Sequence, residues 1–319
     1  MPIRSLSTAL LILSLTGCAY PLSTQEISPP AGTLYDYHIE SSAGVPYSLK
    51  ALADAVTDAD VVLVGEWHSH PGVHLFQTQF LAALASRHSN TALSMEQFTR
   101  QDQSVIDGYL AGEFGESSLL GSTRQWSNYE GSYRPLVEYA KAHSLPVVAA
   151  NAPAEIVRCI AREGKGYLER LPAEKRRLVA DTLHDGDSPY KEKFLATLFH
   201  GDEEKNGNQY LAQLAWDDTM AESIVHFLAD NPGYKVMHIA GAFHVEGGLG
   251  IAARISARNP DLKIAIISPQ SEDAPLGSDV NDYRLVVHPL PPQWLTDEEM
   301  HAALKTMRHT NAAKAATCE

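Results

Sequence analysis

The chain has 319 residues, 44% hydrophobic and 20% charged, a composition that suits one large globular α/β domain or two small ones. Its formal net charge is -14. A surface that acidic repels phosphate backbones, so no nucleic-acid partner is expected.

The N-terminus reads as a leader rather than as part of the fold. Met1-Pro2-Ile3-Arg4 carries one cationic side chain, and a mostly apolar stretch over 6–15 follows. That stretch is too short to span a bilayer as a permanent helix and fits a secretory signal. Leu15-Thr16-Gly17-Cys18 resembles the bacterial lipobox. The resemblance implies removal of residues 1–17, lipidation of Cys18 and a lipid-anchored place in the bacterial cell envelope. Ala19 stands where an inner-membrane protein would carry aspartate, which favours the outer membrane, facing the periplasm. Residues 18–34 then comprise the lipidated cysteine and a tether rich in Ser, Pro and Thr, and 35–319 a single α/β domain.

Strands are expected at 61–66, 92–96, 146–151, 235–240, 264–268 and 284–288, with helical patterns between several of them. The pattern over 71–87 opens on Pro71 and repeats Val73, Phe76, Phe80, Leu81 and Leu84 at helical spacing. Helices are also expected over 133–143 and over 154–162, the latter stopped by Gly164. Strand–helix alternation argues for an α/β fold, a mostly parallel sheet with helices on both faces. Between the third and fourth strands no strand pattern occurs. Charged helices at 173–183 and 188–199, a loop at 201–208 and a long helix at 209–228 read as a helical insertion covering about 164–207. A last helix is expected over 297–307. Cys159 falls in a helical pattern and reads as a small buried apolar residue. Cys318 is one residue from the end and reads as lying outside the fold, so no bridge between the two is expected.

The first four strands all end in polar residues. They close on Gly65-Glu66-Trp67-His68, on Glu96-Gln97, on Asn151 and on Gly241-Ala242-Phe243-His244. In a parallel sheet these ends share one edge, so Glu66, His68, Glu96, Asn151 and His244 can converge. Two carboxylates held close push one proton affinity up, and an imidazole beside a carboxylate is held in one tautomer. Such a cluster supports acid–base catalysis by Glu66, His68, Glu96 and His244, or binding of a divalent metal. His70 reads as a cap of the following helix, His74 as a helical residue and His238 as a satisfied core histidine.

The residues also resemble a family. Val62-Leu63-Val64-Gly65-Glu66-Trp67-His68 is similar to the first motif of the ChaN-like haem-binding lipoproteins. The likeness resumes at Trp126, at Tyr133-Arg134-Pro135-Leu136 and from Tyr139 to Pro153. Ala215-Trp216-Asp217-Asp218-Thr219-Met220-Ala221 resembles that family's Trp-Asp-x-Thr-Met-Ala signature, with two aspartates available for one role. Gly241-Ala242-Phe243-His244 and Gly248-Leu249-Gly250-Ile251 resemble its last motif, although Phe243 replaces a small residue and Gly250 a proline. The resemblance implies an α/β fold, an envelope role in haem or iron uptake, and haem held between two subunits of a homodimer. It also implies tyrosine ligation of the iron, for which Tyr190 and Tyr210 are the candidates, with His184 and His200 as further ligands or propionate partners. The same strand-end pattern resembles the wider group of erythromycin esterases and Tiki-type metalloproteases. That likeness implies the alternative of a hydrolase.

Overall fold

The structure is a computed structural model, and it describes residues 32–124, 126–198, 202–276, 282–313 and 318. Cys18, the leader, most of the tether and His200 lie outside the described residues. The described residues from Thr33 onward belong to one compact unit.

Eight strands form one sheet among the described residues, in the order β2-β1-β8-β7-β3-β6-β4-β5. They are β1 (Tyr37–Glu40), β2 (Pro46–Tyr47), β3 (Val61–Glu66), β4 (Thr91–Thr99), β5 (Val147–Asn151), β6 (Lys235–Gly241), β7 (Ile264–Ser271) and β8 (Tyr283–Val287). The six from β3 to β8 pair only in parallel with one another. β1 and β2 add an antiparallel edge, β1 pairing with β8. This edge was not expected; the strands are four and two residues long and partly exposed, too short to show a period.

β3 shows why continuous apolar runs make the central strands. Val62 and Val64 pack into a core with Phe76, Phe80 and Leu84, whereas Val61 and Leu63 pack into a second core with Met220, Ile224 and Ile255. Side chains alternate across a strand, so a strand covered on both faces needs apolar residues at every position. Helices Pro71–Arg87 and Arg134–Ala142 cover the first face. Helices Glu203–Asp230 and Ile251–Arg258 cover the second. The helix over 71–87 has the expected bounds because its start is capped. His70 Nδ1 accepts from the amides of Gly72 and Val73, and its Nε2 donates to the His288 carbonyl 2.8 Å away. Burial pushes the His70 imidazole down, in keeping with a neutral ring that accepts on one nitrogen and donates on the other.

Between β5 and β6 lie helices Ala154–Glu163, Lys165–Arg170, Ala173–Arg176 and Pro189–Leu195, then the long helix. Two local expectations change here. The helix expected over 173–183 stops at Arg176, whose guanidinium donates to the carbonyls of Val179, Ala180 and Asp181. Those three bonds hold the following backbone open. The expected loop over 201–208 is largely helix, because Asp202 caps it by accepting from the Lys205 amide.

The cysteine expectation is overturned. Cys159 and Cys318 form a disulfide, with Cα atoms 5.6 Å apart and a sequence separation of 159. Cys159 is buried beside Ile156, Ile160 and Leu211, and the chain end returns to that cluster.

Candidate active and binding site at the strand ends

β4, β6 and β3 are neighbours, and in register Glu66 lies beside Gly241. The chain leaves β3 toward β4 and β5, then returns through β6 toward β7, so the strand order reverses here. Crevices at such reversals are where open α/β sheets bind ligands. The backbone is crowded at this edge. A Cβ on Gly241 would sit 2.9 Å from His68 Cε1 and 3.5 Å from His244 Cδ2, so only glycine lets both imidazoles approach the end of β6.

Glu66 forms one half of the cluster. It is 2% exposed, and four donors surround it. Oε1 accepts from Tyr133 Oη at 2.6 Å, His68 Nδ1 at 2.7 Å and Gln97 Nε2 at 3.1 Å. Oε2 accepts from Gln77 Nε2 at 2.6 Å, with His74 Nδ1 4.0 Å away. Burial works to raise this carboxyl, but the bonds from His68, Gln77 and Tyr133 and the neighbouring His74 outweigh it and hold it low. Glu66 is therefore a fixed anion. Burial likewise disfavours charge on His68, yet its bond to Glu66 and the charge of Glu96 raise it. The His68 side chain is 45% exposed and packs edge-on against Trp126, ring centroids 4.7 Å apart. The Tyr133 phenol is pushed up by burial and by Glu66, so it stays a donor.

Glu96 and His244 form the other half. Glu96 is 8% exposed, and its Oε2 accepts from the Gly241 amide at 2.7 Å. Its Oε1 lies 3.8 Å from His244 Nε2. His244 Nδ1 donates to Asp217 Oδ1 at 2.7 Å. Asp217 Oδ2 accepts from Tyr190 Oη, whose oxygen accepts from Gln213 Nε2. Burial opposes charge on His244, but Asp217 and Glu96 win and raise it to about 9. It is an imidazolium at neutral pH, flanked by two carboxylates.

The expected edge is thus assembled: Glu66, His68, Glu96 and His244 meet there. Asn151 lies beside it as a brace, its Nδ2 donating to the Glu96 carbonyl and its Oδ1 accepting from the Ala152 amide. His238 is fully buried and hydrogen-bonded to Ser94 Oγ, and burial drives it down to about 3. His74 faces the His68 carbonyl and Gln77 Oε1.

The other candidates lie elsewhere. Tyr190 and Tyr210 are 1% and 2% exposed in an apolar cluster with Leu214, Phe194 and Phe243. Phe243 fills that cluster, which is why a large residue fits where a small one was expected. Gly250 is required by contact, since a Cβ there would fall 2.2 Å from the His244 carbonyl oxygen. His184 is 37% exposed along its side chain, and its Nδ1 lies 2.7 Å from Asp218 Oδ1. Asp218 also accepts from the His184 amide and from Arg258 Nη1. The two aspartates of the signature are therefore divided: Asp217 serves His244, and Asp218 serves His184.

Gln77, Gln97, Tyr133, Gln213 and Asp217 were not named as site residues. Tyr133 and Asp217 carried a signal, since both fall in family-like motifs. The room for a divalent metal is not supported. Among the described residues no group of three or more His, Cys, Asp or Glu is arranged to hold one. The Glu66 oxygens are taken by four donors, and Glu96 spends one oxygen on a backbone amide.

Comparison with known proteins bears on the fold and the family. A plant relative, the chloroplastic protein RETICULATA-RELATED 5 of Arabidopsis thaliana, is 24% identical over 204 residues, 57% of this chain and 26% of that protein. The chain thus spans about a quarter of the relative's length. Among solved structures, ChaN of Campylobacter jejuni, described with cofacial haem binding, superposes with a TM-score of 0.61 at 17% identity. The match covers 80% of this chain and 98% of that one, and shows a shared fold. An erythromycin esterase, EreC, matches at a TM-score of 0.43 and 13% identity, over 80% of this chain and 82% of that one. Residues 52–255 match the family described as haem-binding uptake, Tiki superfamily, ChaN. With that match spanning more than half its length, the chain belongs to the haem-binding ChaN family of the Tiki superfamily.

Proposed function

We propose that this chain binds haem as cargo in haem or iron uptake, anchored in the bacterial envelope through a lipid on Cys18. The observation that carries the reading is the family match over residues 52–255. A surface cleft supports it. His184 lines a cavity of about 370 Å³ together with Leu183, Leu249, Ala253 and Arg254. An imidazole that ligates a metal usually gives its other nitrogen to a carboxylate. His184 has that arrangement, Nδ1 on Asp218 and Nε2 with no hydrogen-bond partner among the described residues, so it would be free to hold a haem iron. Tyr190 and Tyr210 are enclosed, so His184 is the ligand of choice among the described candidates. In this reading a second copy closes over the cleft in a homodimer.

The test is a haemin titration of residues 19–319. A Soret shift at micromolar haemin is expected, together with its loss in His184→Ala. No spectral change in the native chain removes the proposal, and an unchanged shift in His184→Ala, set beside Tyr190, Tyr210 and His200 variants, moves the ligand. Membrane association that persists in Cys18→Ser would argue against the anchor.

A second reading rests on one observation, the two carboxylate–imidazole pairs flanking Gly241. They could serve hydrolysis of an ester or peptide, with His68 as base through its half-exposed ring and His244 as the charged acid. Turnover lost in both Glu66→Gln and His244→Ala supports this; turnover retained in both rejects it.

A further inference from the structure

A second cavity, of about 330 Å³, opens beside β7 and β8. It shares no lining residue with the Glu and His cluster, and only Leu249 with the His184 cleft. Ile267 and Leu285 turn to the core beneath helix Pro71–Arg87, so Ser268 and Arg284, paired in register, point to the opposite face. Three polar side chains line the cavity while almost wholly buried: Ser268 at 2%, Arg284 at 7% and Asp282 at 8% exposure.

The charges there are unequally satisfied. Arg284 Nη2 donates to the Ala274 carbonyl, and Nη1 faces Glu40 Oε2 at 3.6 Å. Lys193 pairs with Glu246 at 3.3 Å and sits over the Phe243 ring. Each cation thus already faces a carboxylate. Asp282 receives two bonds, from the Gly247 amide at 2.9 Å and from Ser268 Oγ at 2.8 Å, and both reach Oδ2. Among the described residues Oδ1 has no hydrogen-bond partner. Nor has the side-chain amide of Gln270, which lines the same cavity. The rim is shaped for this: Gly247 and Gly248 have φ of +67° and +69°, a left-handed pair that turns the Gly247 amide onto Asp282. Leu249 and Pro275 supply apolar wall.

A buried carboxylate with a spare oxygen, beside cations that already have partners, is completed by a positively charged hydrogen-bond donor. We infer that this cavity binds a small ammonium compound with an apolar body, its cation on Asp282 Oδ1 and Gln270 as the second polar contact. Burial raises the Asp282 carboxyl, outweighing its bonds from Gly247 and Ser268 and the charge of Lys193. A carboxylate ligand would have to compete with Glu40 for Arg284 and with Glu246 for Lys193.

Three probes carrying the same phenyl ring separate these cases: 2-phenylethylammonium, 2-phenylethanol and phenylacetate, titrated into residues 19–319 at neutral pH with amide shifts read by NMR. The ammonium probe is expected to bind roughly tenfold or more tighter than the alcohol, the scale of one charge-assisted bond, with shifts at Gly247, Leu249 and Gln270. Asp282→Asn should bring the two within about twofold. Because Asp282 also holds Gly247 and Ser268, Gln270→Leu provides a variant on the partly exposed wall, expected to weaken the ammonium probe about threefold or more. Phenylacetate binding as tightly as the ammonium overturns the proposal. So does an ammonium preference unchanged in either variant, or no binding of any probe up to about 10 mM.

Discussion

Asp217 and Asp218 are adjacent on one helix and fully buried, yet they serve different regions. Successive helical residues point about 100° apart. Asp217 turns toward the strand ends, where it meets His244 and Tyr190. Asp218 turns toward the edge of the inserted helices, where it meets His184, Arg258 and Arg254. The same division runs through the glutamates. Glu66 has four donors and is a fixed anion, whereas Glu96 has one amide and an imidazolium 3.8 Å away. One region is a locked frame with a charged pair at its mouth, and the other is a surface cleft whose histidine is braced from beneath. A polar motif read as one site can thus support two.

The largest expected effect is on the frame and its brace. Removing one member of a buried ionic network typically costs about 3–5 kcal/mol. Asp218→Ala, which takes the nearest carboxylate from Arg258 and His184, and Glu66→Ala, which strands four donors, should each lose stability on that scale in urea unfolding. Losses under about 1 kcal/mol would mean these groups are solvated, not buried. Breaking the Cys159–Cys318 link by Cys159→Ser should cost about 2–5 kcal/mol, and reductant should reproduce it in the native chain but not in the variant.

A pH scan gives the next contrast. His244 is raised from 6.5 to about 9, so its ion pairing is fully present below about pH 6.5 and is lost as pH rises through about 9. The loss is on the order of 3 kcal/mol and should vanish in His244→Gln. His238, pushed down to about 3, has the opposite sign: it stays neutral in the fold, and stability falls as pH drops from 6.5 toward 3. The smallest effect is expected for His68→Ala, under about 1 kcal/mol, because its side chain is 45% exposed.

Much of the frame was legible. Apolar runs ending in Glu66, Glu96 and Gly241 marked strands buried on both faces, and their parallel pairing brought those ends together. His70 was readable as a cap because it precedes Pro71. Gln77 was hidden because it is a polar residue on the buried face of an otherwise apolar helix, and Tyr133 was marked only by its family-like motif. The choice between Asp217 and Asp218 needed the helix's rotation about its axis, which a motif does not carry. The disulfide was illegible because nothing in the intervening residues says where the chain end returns.

The division between the two aspartates is tested most directly by one haemin titration on two variants. Asp218→Asn removes the carboxylate behind His184, and haemin affinity should fall about tenfold or more, the usual scale for losing such a partner. Asp217→Asn should leave that affinity within about twofold while lowering the pKa of His244. Equal losses in both variants, or a loss confined to Asp217→Asn, would contradict the account and move the haem to the strand ends.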